Sequence, residues 1–283
     1  MATSSTSITS LSGFDDFAAT VRVIADGDLW LIESDGMPSH NMMVGIQSWQ
    51  QQVPTPQPYV GSNAWRLPME PAIAAVPISA KTSLYRGAIA LAVNGVPIFN
   101  ALNNRGDDAF LAGELDEWGG HSGRADDYHY HVAPLHLQKI VGPSKPIAYA
   151  LDGFPIYGST ELDGSSVSGL DEFNGHFDAS GKYHYHGTTT YPYINGGLKG
   201  VVSVVGDQID PQPMTRPFRP DGTPLRGAAI TAFDTTGKTS FHLEYELDGN
   251  IGSVDYTIEG SSVSFVFSDS DGHVRSETYA RRS

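Results

Sequence analysis

Two copies of the tetrapeptide Tyr-His-Tyr-His, at residues 128–131 and 183–186, carry the most distinctive chemistry of this chain. On a β-strand, residues i and i+2 project from the same face. Each copy therefore predicts two imidazoles on one face of a strand and two phenols on the other. Two imidazoles on one strand can bind a single transition-metal ion. We predict that four histidines of these copies are metal ligands, namely His129, His131, His184 and His186.

The tetrapeptides belong to a longer internal repeat. Residues 116–131 align with residues 171–186 without a gap, and 8 of these 16 positions are identical. Upstream, residues 92–100 match residues 150–158. Such self-similarity indicates a duplicated unit. The repeat also places one further histidine eight residues before each pair, and these two candidate ligands are His121 and His176.

Two metal geometries are compatible with this repeat. In the first, both His-x-His pairs converge on one ion across a pseudo-twofold axis, with His121 and His176 as outer ligands or proton shuttles. In the second, each half binds its own ion through three histidines, a common ligand set for zinc and copper. The spacing does not choose between them, and our working prediction is the joint site. The alternative without metal is a hydrogen-bonded His/Tyr cluster that rigidifies the core.

Three aspartates are candidate catalytic groups. Asp116 and Asp171 are equivalent in the repeat, and either could orient an imidazole through its second ring nitrogen or act as a general base. Asp152 matches Asn94 of the first half, so only the second half has a carboxylate at this position. The alternatives are a helix cap or a loop hydrogen bond for the first two and a turn residue for Asp152.

Composition narrows the choice of metal and of partner. The chain has no cysteine, which excludes disulfides and thiolate metal sites, so a transition metal must bind His, carboxylate or Tyr. The net charge of −15 argues against a nucleic-acid partner. No apolar run approaches the ~18 residues of a membrane helix. A phosphate loop, a dinucleotide fingerprint and a serine nucleophile elbow are all absent.

The distribution of residues predicts a mainly β fold. The chain has 31 glycines and 18 prolines, and short runs rich in Val, Ile, Tyr, Phe and Thr alternate with Gly/Asp/Pro turns. We expect an internally duplicated, pseudo-twofold β core with long loops and a small C-terminal antiparallel β-meander. The predicted boundaries are a flexible leader (1–15), the core (16–206, halves about 84–135 and 145–200), a Pro-rich linker (207–226) and the meander (227–283), which could pack on the core as one domain.

Residues 35–200 resemble a bacterial protein family named after the YHYH motif. The resemblance rests on the paired YHYH segments, on LDGFPIYG between them, on the YPYINGGLKG segment that follows, and on GMPSH at residues 36–40. The last segment adds His40 to the candidate metal ligands. The resemblance implies an exported protein, periplasmic or extracellular, whose signal is not part of this sequence. It implies no settled activity.

Three functions fit these observations. The first is a copper-dependent redox enzyme or copper-binding protein, because all-imidazole sites suit Cu(II). The second is a zinc-dependent hydrolase in which Asp116, Asp171 or Asp152 acts as the base toward a metal-activated water. The third is a non-catalytic, metal-stabilised binding module. Each leaves open whether the substrate is a small molecule or a polymer, and which oligomer forms.

Overall fold

Short strands separated by tight turns account for most of the regular structure, as the composition predicts. The computed structural model describes residues 10–281. Four strands precede the first repeat: β1 (Arg22–Asp26), β2 (Leu29–Glu33), β3 (Trp65–Pro68) and β4 (Ile73–Ser79). Strands β1, β2 and β3 form one antiparallel sheet. Helical structure in this part is limited to two 3₁₀ turns, Phe14–Phe17 and Gly61–Asn63.

The predicted flexible leader, residues 1–15, extends too far into the chain. Residues 1–9 lie outside the described part of the chain, but Phe14 is buried and stacks on Tyr149, with ring centroids 5.8 Å apart. Burial of an aromatic ring fixes the chain at this point, because the ring loses water-exposed apolar surface on packing.

The two repeats share one eight-stranded sheet. The first repeat supplies β5 (Ala88–Ala92), β6 (Pro97–Phe99), β7 (Gly120–Ser122) and β8 (Tyr128–Tyr130). The second supplies β9 (Ala148–Ala150), β10 (Pro155–Tyr157), β11 (Gly175–Phe177) and β12 (Tyr183–His186). The two are joined through a 3₁₀ turn, Leu135–Leu137, and an α-helical turn, α1 (Gln138–Val141). The strand order is β11-β12-β10-β9-β5-β6-β8-β7.

This order reads the same from either edge when each strand is replaced by its repeat partner. At the centre, β5 and β9 are antiparallel, and Leu91 faces Tyr149. The flanking pairs are Ala90 with Ala150 and Ala92 with Ala148, which the repeat converts into one another. A pseudo-twofold axis therefore passes through the Leu91/Tyr149 pair, and the predicted duplicated core is confirmed. All five residues of β5 are buried, as expected for a strand covered on both faces.

Glycine shapes the hairpin that starts each repeat. Gly95 follows Asn94 between β5 and β6, and Gly153 follows Asp152 between β9 and β10. Both have positive φ, +83° and +92°, which favours glycine. A Cβ at Gly95 would lie 2.6 Å from the Cβ of Ser34, the residue after β2, so this turn also packs too closely on that residue to accept a side chain.

The C-terminal meander is confirmed. After β13 (Gly197–Gly200), which pairs with β4, and a small hairpin of β14 (Val204–Val205) and β15 (Gln208–Ile209), five antiparallel strands follow in sequence order. They are β16 (Ala229–Thr236), β17 (Ser240–Leu247), β18 (Asn250–Glu259), β19 (Ser262–Ser268) and β20 (Val274–Ala280). Among the described residues, no helix is both long and apolar enough to cross a membrane.

The Pro-rich segment 207–226 is packed rather than free. Phe218 is 1% exposed, and the guanidinium of Arg219 binds the Asp126 carboxylate at 2.7 Å. The meander also contacts the preceding chain, because the Tyr256 hydroxyl donates to the Pro54 carbonyl at 2.5 Å. Apart from β15 the segment has the irregular backbone expected of a linker, but Arg219 joins the core to the meander, since its guanidinium also lies 4.8 Å from the ring centroid of Phe265.

Candidate metal centres

The first-repeat cluster is built on the β7–β8 pair. His121 of β7 faces His129 of β8 across the strands, and His131 follows two residues later on the same face. The ring centroids of the three imidazoles lie 4.8 to 5.0 Å apart. The Nε2 atoms of His121 and His131 are 3.1 Å apart. The backbone register alone thus brings three imidazoles to one point.

The second-repeat cluster reproduces this arrangement on β11 and β12. His176 faces His184, and His186 follows on the same face. The Nε2 atoms of His176 and His184 are 3.0 Å apart. A carboxylate joins this cluster, since Glu161 oxygens lie 3.5 Å from the Nε2 of His176, 3.9 Å from that of His184 and 3.6 Å from that of His186.

Backbone carbonyls orient the imidazoles. The Nδ1 of His131 lies 2.5 Å from the Asn100 carbonyl, and that of His186 lies 3.0 Å from the carbonyl of Gly158, the repeat partner of Asn100. The Nδ1 of His129 is 2.9 Å from the Asp127 carbonyl. Because a carbonyl only accepts, each Nδ1 carries the proton and each Nε2 presents a lone pair. This is the orientation commonly seen for histidines that ligate a metal.

The distances between these nitrogens suit a metal ion. Bonds of about 2.05 Å in a tetrahedral zinc site place the ligand nitrogens about 3.3 Å apart. In each close pair, either one imidazole donates its Nε2 proton to the other, or a cation takes both lone pairs. His186 adds an independent observation, because its buried Nε2 has no hydrogen-bond partner among residues 10–281. Buried polar atoms are rarely left in this state.

Burial favours the neutral form of four of these histidines. Desolvation, followed by the neighbouring imidazoles, lowers the pKa of His121 well below its usual value and that of His131 to about 3. Desolvation likewise lowers the pKa of His184 and His186, and nearby histidines lower both further. Neutral imidazoles at neutral pH are what metal ligation needs, because protons do not compete for the lone pairs.

The two clusters do not form a joint site. Strands β8 and β12 lie near opposite edges of the sheet, with β6, β5, β9 and β10 between them. Five interstrand steps of about 4.8 Å separate them by roughly 24 Å. The prediction that the pairs converge on one ion is wrong, because the twofold axis passes between β5 and β9 and leaves four strands between the two YHYH strands. The geometry with one three-histidine cluster per half is the one observed.

The predicted catalytic aspartates occupy the opposite face, with the tyrosines. Asp116 accepts the Tyr128 hydroxyl at 2.7 Å, Asp171 accepts the Tyr183 hydroxyl at 3.0 Å, and Asp152 accepts the Tyr185 hydroxyl at 2.6 Å. Since histidines and tyrosines alternate along each strand, these carboxylates do not face the imidazoles. They are partners for buried phenols, and the assignment of these three aspartates as bases at the histidine face is corrected.

His40 also belongs to the tyrosine face. Its Nε2 lies 2.6 Å from the Tyr130 hydroxyl, and its ring stacks on Trp118 at 4.8 Å. His136 lies beside it, with ring centroids 5.0 Å apart. Desolvation lowers the pKa of both histidines to about 4. His40 is therefore part of an aromatic cluster and not a ligand in either three-histidine group.

A cavity of about 800 Å³ adjoins the first cluster. Its lining includes His121, His129, His131, Glu114, Arg86 and Arg124.

Two acidic groups near the clusters, Glu114 and Glu161, were not predicted as site residues. Glu114 stands two residues before the aligned repeat and Glu161 in the loop that precedes it, so the ungapped alignment does not include them.

A third acidic group with histidine lies in the meander, at the turn that follows β19. It comprises Asp269, Asp271 and His273, two of which are exposed. Asp269 already accepts the backbone N–H groups of Asp271 and His273 at 3.0 and 2.8 Å. These contacts explain the group as a turn.

Comparison with known proteins supports the family resemblance. The family model described as "YHYH protein" matches residues 64–168, which include the first tetrapeptide and its three histidines. No curated protein and no solved structure matches the chain. Residues 64–168 of the chain therefore match the YHYH protein family.

Proposed function

We propose that this protein is a metalloprotein with one transition-metal ion in each repeat, and that it is a copper-dependent redox enzyme or copper-binding protein. One observation carries the proposal: in each repeat three imidazoles offer nitrogens within 4.8 Å of one another. Strand register sets the rings, and the carbonyls of Asn100, Gly158 and Asp127 set their tautomers. Strand register and backbone hydrogen bonds thus both act to position the donor sets.

The ligand chemistry supports copper first. Copper(II) leads the affinity order of divalent ions for nitrogen ligands, and the chain contains no thiolate that would select another ion. Bound copper would supply one-electron redox chemistry. The protein's own contribution is to hold neutral imidazoles, to exclude protons from their Nε2 atoms and to shape the cavity beside the first cluster.

A zinc-dependent hydrolase is the second candidate, and the position of Glu114 favours it. This carboxylate is 7% exposed and lines the same cavity as the first three-histidine cluster. Asn103 donates to it at 3.2 Å, and Arg105 forms an ion pair with it. In this mechanism Glu114, rather than any of the three aspartates, would accept a proton from water.

A non-catalytic binding module stabilised by metal is the third candidate, with the meander as an adhesion surface.

For all three candidate functions we propose that the protein is exported. The lack of cysteine supports this location, because copper outside the cytoplasm would find no thiol in the chain to oxidise. Fractionation of cells that express the full gene product tests the location directly, and a cytosolic protein would contradict it.

Metal analysis of protein purified without added metal tests the proposal. We expect about two equivalents in the parent, predominantly copper, and about one in each of two double variants, His129→Ala/His131→Ala and His184→Ala/His186→Ala. Zinc in place of copper would favour the hydrolase.

The controls are His242→Ala and His273→Ala in the meander, which should keep both equivalents. Parent protein that folds but retains no stoichiometric transition metal, even after incubation with Cu(II) or Zn(II), would contradict the proposal. The clusters would then be hydrogen-bonded structural elements.

A further inference from the structure

The two clusters differ at one equivalent position, Asn103 in the first repeat and Glu161 in the second. The loops that carry them share a backbone pattern. Leu102 bridges to Asp108 in one loop, and Thr160 bridges to Ser166 in the other. The carbonyls of Asn103 and Glu161 each accept an N–H from the glycine three residues later, both at 2.9 Å. Asn103 and Glu161 are 58 residues apart, the same distance in sequence that separates equivalent residues of β5 and β9.

This difference changes the ligand set. The Glu161 carboxylate lies within 4 Å of all three Nε2 atoms of its cluster. The Asn103 amide instead turns to Glu114 and donates to both carboxylate oxygens, at 3.2 and 3.3 Å. The second cluster therefore offers three nitrogens and an oxygen. The first offers three nitrogens only.

The surroundings of the two clusters also differ, and again the first cluster is the more open one. The cavity of about 800 Å³ is lined by all three histidines of the first cluster and by none of the second. Arg86 and Arg124 line it and form no ion pair with any residue in the described range 10–281. The third cation of the lining, Arg105, is already paired with Glu114. Glu114 and Asp127 also line it, so the three arginines and two carboxylates give the lining a formal charge of +1 in a chain of net charge −15.

We propose that the two centres divide the work. The second, closed by Glu161 as a fourth ligand, is structural, and the first is the open centre at which a substrate with a negatively charged group binds. This inference rests on the proposed function. Its physical basis is that structural sites are usually saturated by protein ligands, whereas reactive sites keep a position for water or substrate.

Charge supports the same division. A divalent ion bound by three neutral imidazoles keeps both positive charges, and a carboxylate ligand removes one of them. An anion is therefore attracted more strongly to the first centre, and Arg86 and Arg124 add to this attraction.

Cobalt(II) and azide test the proposal, because the visible spectrum of bound cobalt reports its coordination. His184→Ala/His186→Ala isolates the first centre, and His129→Ala/His131→Ala isolates the second. Azide should change the spectrum of the first saturably and leave that of the second unchanged. An equal response of both, or a response of the second alone, would overturn the division. If neither variant bound cobalt stoichiometrically, the proposed function itself would fail, a distinguishable result.

Exchange of the differing residues sharpens the test. In the isolated second centre, Glu161→Gln should create an azide response. In the isolated first centre, Asn103→Glu combined with Glu114→Gln should suppress it, and the second substitution avoids two adjacent buried carboxylates. If azide still left the cobalt spectrum of the second centre unchanged after Glu161→Gln, Glu161 would not be the ligand that closes this centre.

The arginines are tested in the isolated first centre. Arg86→Gln/Arg124→Gln should weaken azide binding several-fold, while Arg226→Gln, which lies outside the cavity lining, should not. Equal azide affinity in all three proteins would remove the arginines, and with them the anionic substrate class, from the proposal.

Discussion

The Tyr185 hydroxyl donates a hydrogen bond of 2.6 Å to the carboxylate of Asp152, and both groups are buried. The same hydroxyl accepts the backbone N–H of Lys199 at 2.7 Å, and the same carboxylate accepts that of Gly200 at 2.8 Å. The pair therefore ties β12 to the β9–β10 turn and to β13. It lies on the face opposite the histidines, so it supports the strand that carries His184 and His186 without contacting their imidazoles.

Tyr185→Phe should lower the stability of the protein without changing the amount of bound metal. The variant leaves the Asp152 carboxylate and the Lys199 N–H each short of a partner, and we expect a loss of about 1–3 kcal/mol in the free energy of unfolding. Urea denaturation measures the loss, and metal analysis should give the parent's stoichiometry. Loss of the ion, or of an intense ligand-to-metal absorption band, would instead indicate a tyrosinate ligand. Tyr130→Phe is the matched variant in the first repeat.

Acid should destabilise the protein through His40 and His136. Their pKa is lowered to about 4 in the folded state, whereas the unfolded chain binds protons near pH 6.5. A depressed histidine pKa means that the unfolded state takes up protons first as the pH falls. The contribution of these residues is therefore present above about pH 6.5 and declines toward pH 4.

His136→Gln isolates this effect. Between pH 6.5 and 4.5 the variant should lose on the order of 1–2 kcal/mol less unfolding free energy than the parent. The comparison is needed because Asp152, whose pKa burial raises to about 6, has the opposite dependence and is ionised in the folded state only above that pH. Parallel pH profiles for variant and parent would show that His136 titrates normally.

Among the contacts of the Pro-rich segment, the ion pair between Arg219 and Asp126 should cost the most unfolding free energy when it is broken. The guanidinium binds both carboxylate oxygens, at 2.7 and 3.0 Å, and both side chains are buried. Arg219→Met leaves the charge of Asp126 buried and unpaired, so we expect a loss of about 3–5 kcal/mol. Adding Asp126→Asn should recover a large part of it. Equal losses in the single and double variants, measured by urea denaturation, would contradict this account.

Local patterns predicted the strands and their faces. The alternation of His and Tyr in residues 183–186 predicted which side chains share a face, and the Gly/Asp/Pro turns predicted the short strands of the meander. These predictions succeeded because period-2 alternation and turn residues act over a few residues.

The order of strands in the sheet was not predictable in this way. It depends on the Leu91/Tyr149 pair, which joins residues 58 apart and leaves no local signal. The role of the aspartates was missed for a related reason. A buried tyrosine needs a hydrogen-bond acceptor, and the acceptor of Tyr185 lies 33 residues earlier in the chain. Glu161 could have been found by extending the 58-residue offset of β5 and β9 through the following loop, where it aligns with Asn103.

Gly123→Ala should disturb the first centre alone. A Cβ at this position would lie 2.8 Å from the Cε1 of His129 and 2.8 Å from a carboxylate oxygen of Asp127, closer than real contacts allow, so the imidazole must move. Ligand geometry tolerates little displacement, and we expect bound metal to fall from about two equivalents toward one, with the far-ultraviolet spectrum unchanged. The matched control is Asp178→Ala, because Asp178 is the repeat partner of Gly123 and the second centre already accommodates a side chain there. If Gly123→Ala retained both ions with the parent's affinity, His129 would not be a ligand, and the first centre would have to be rebuilt without it.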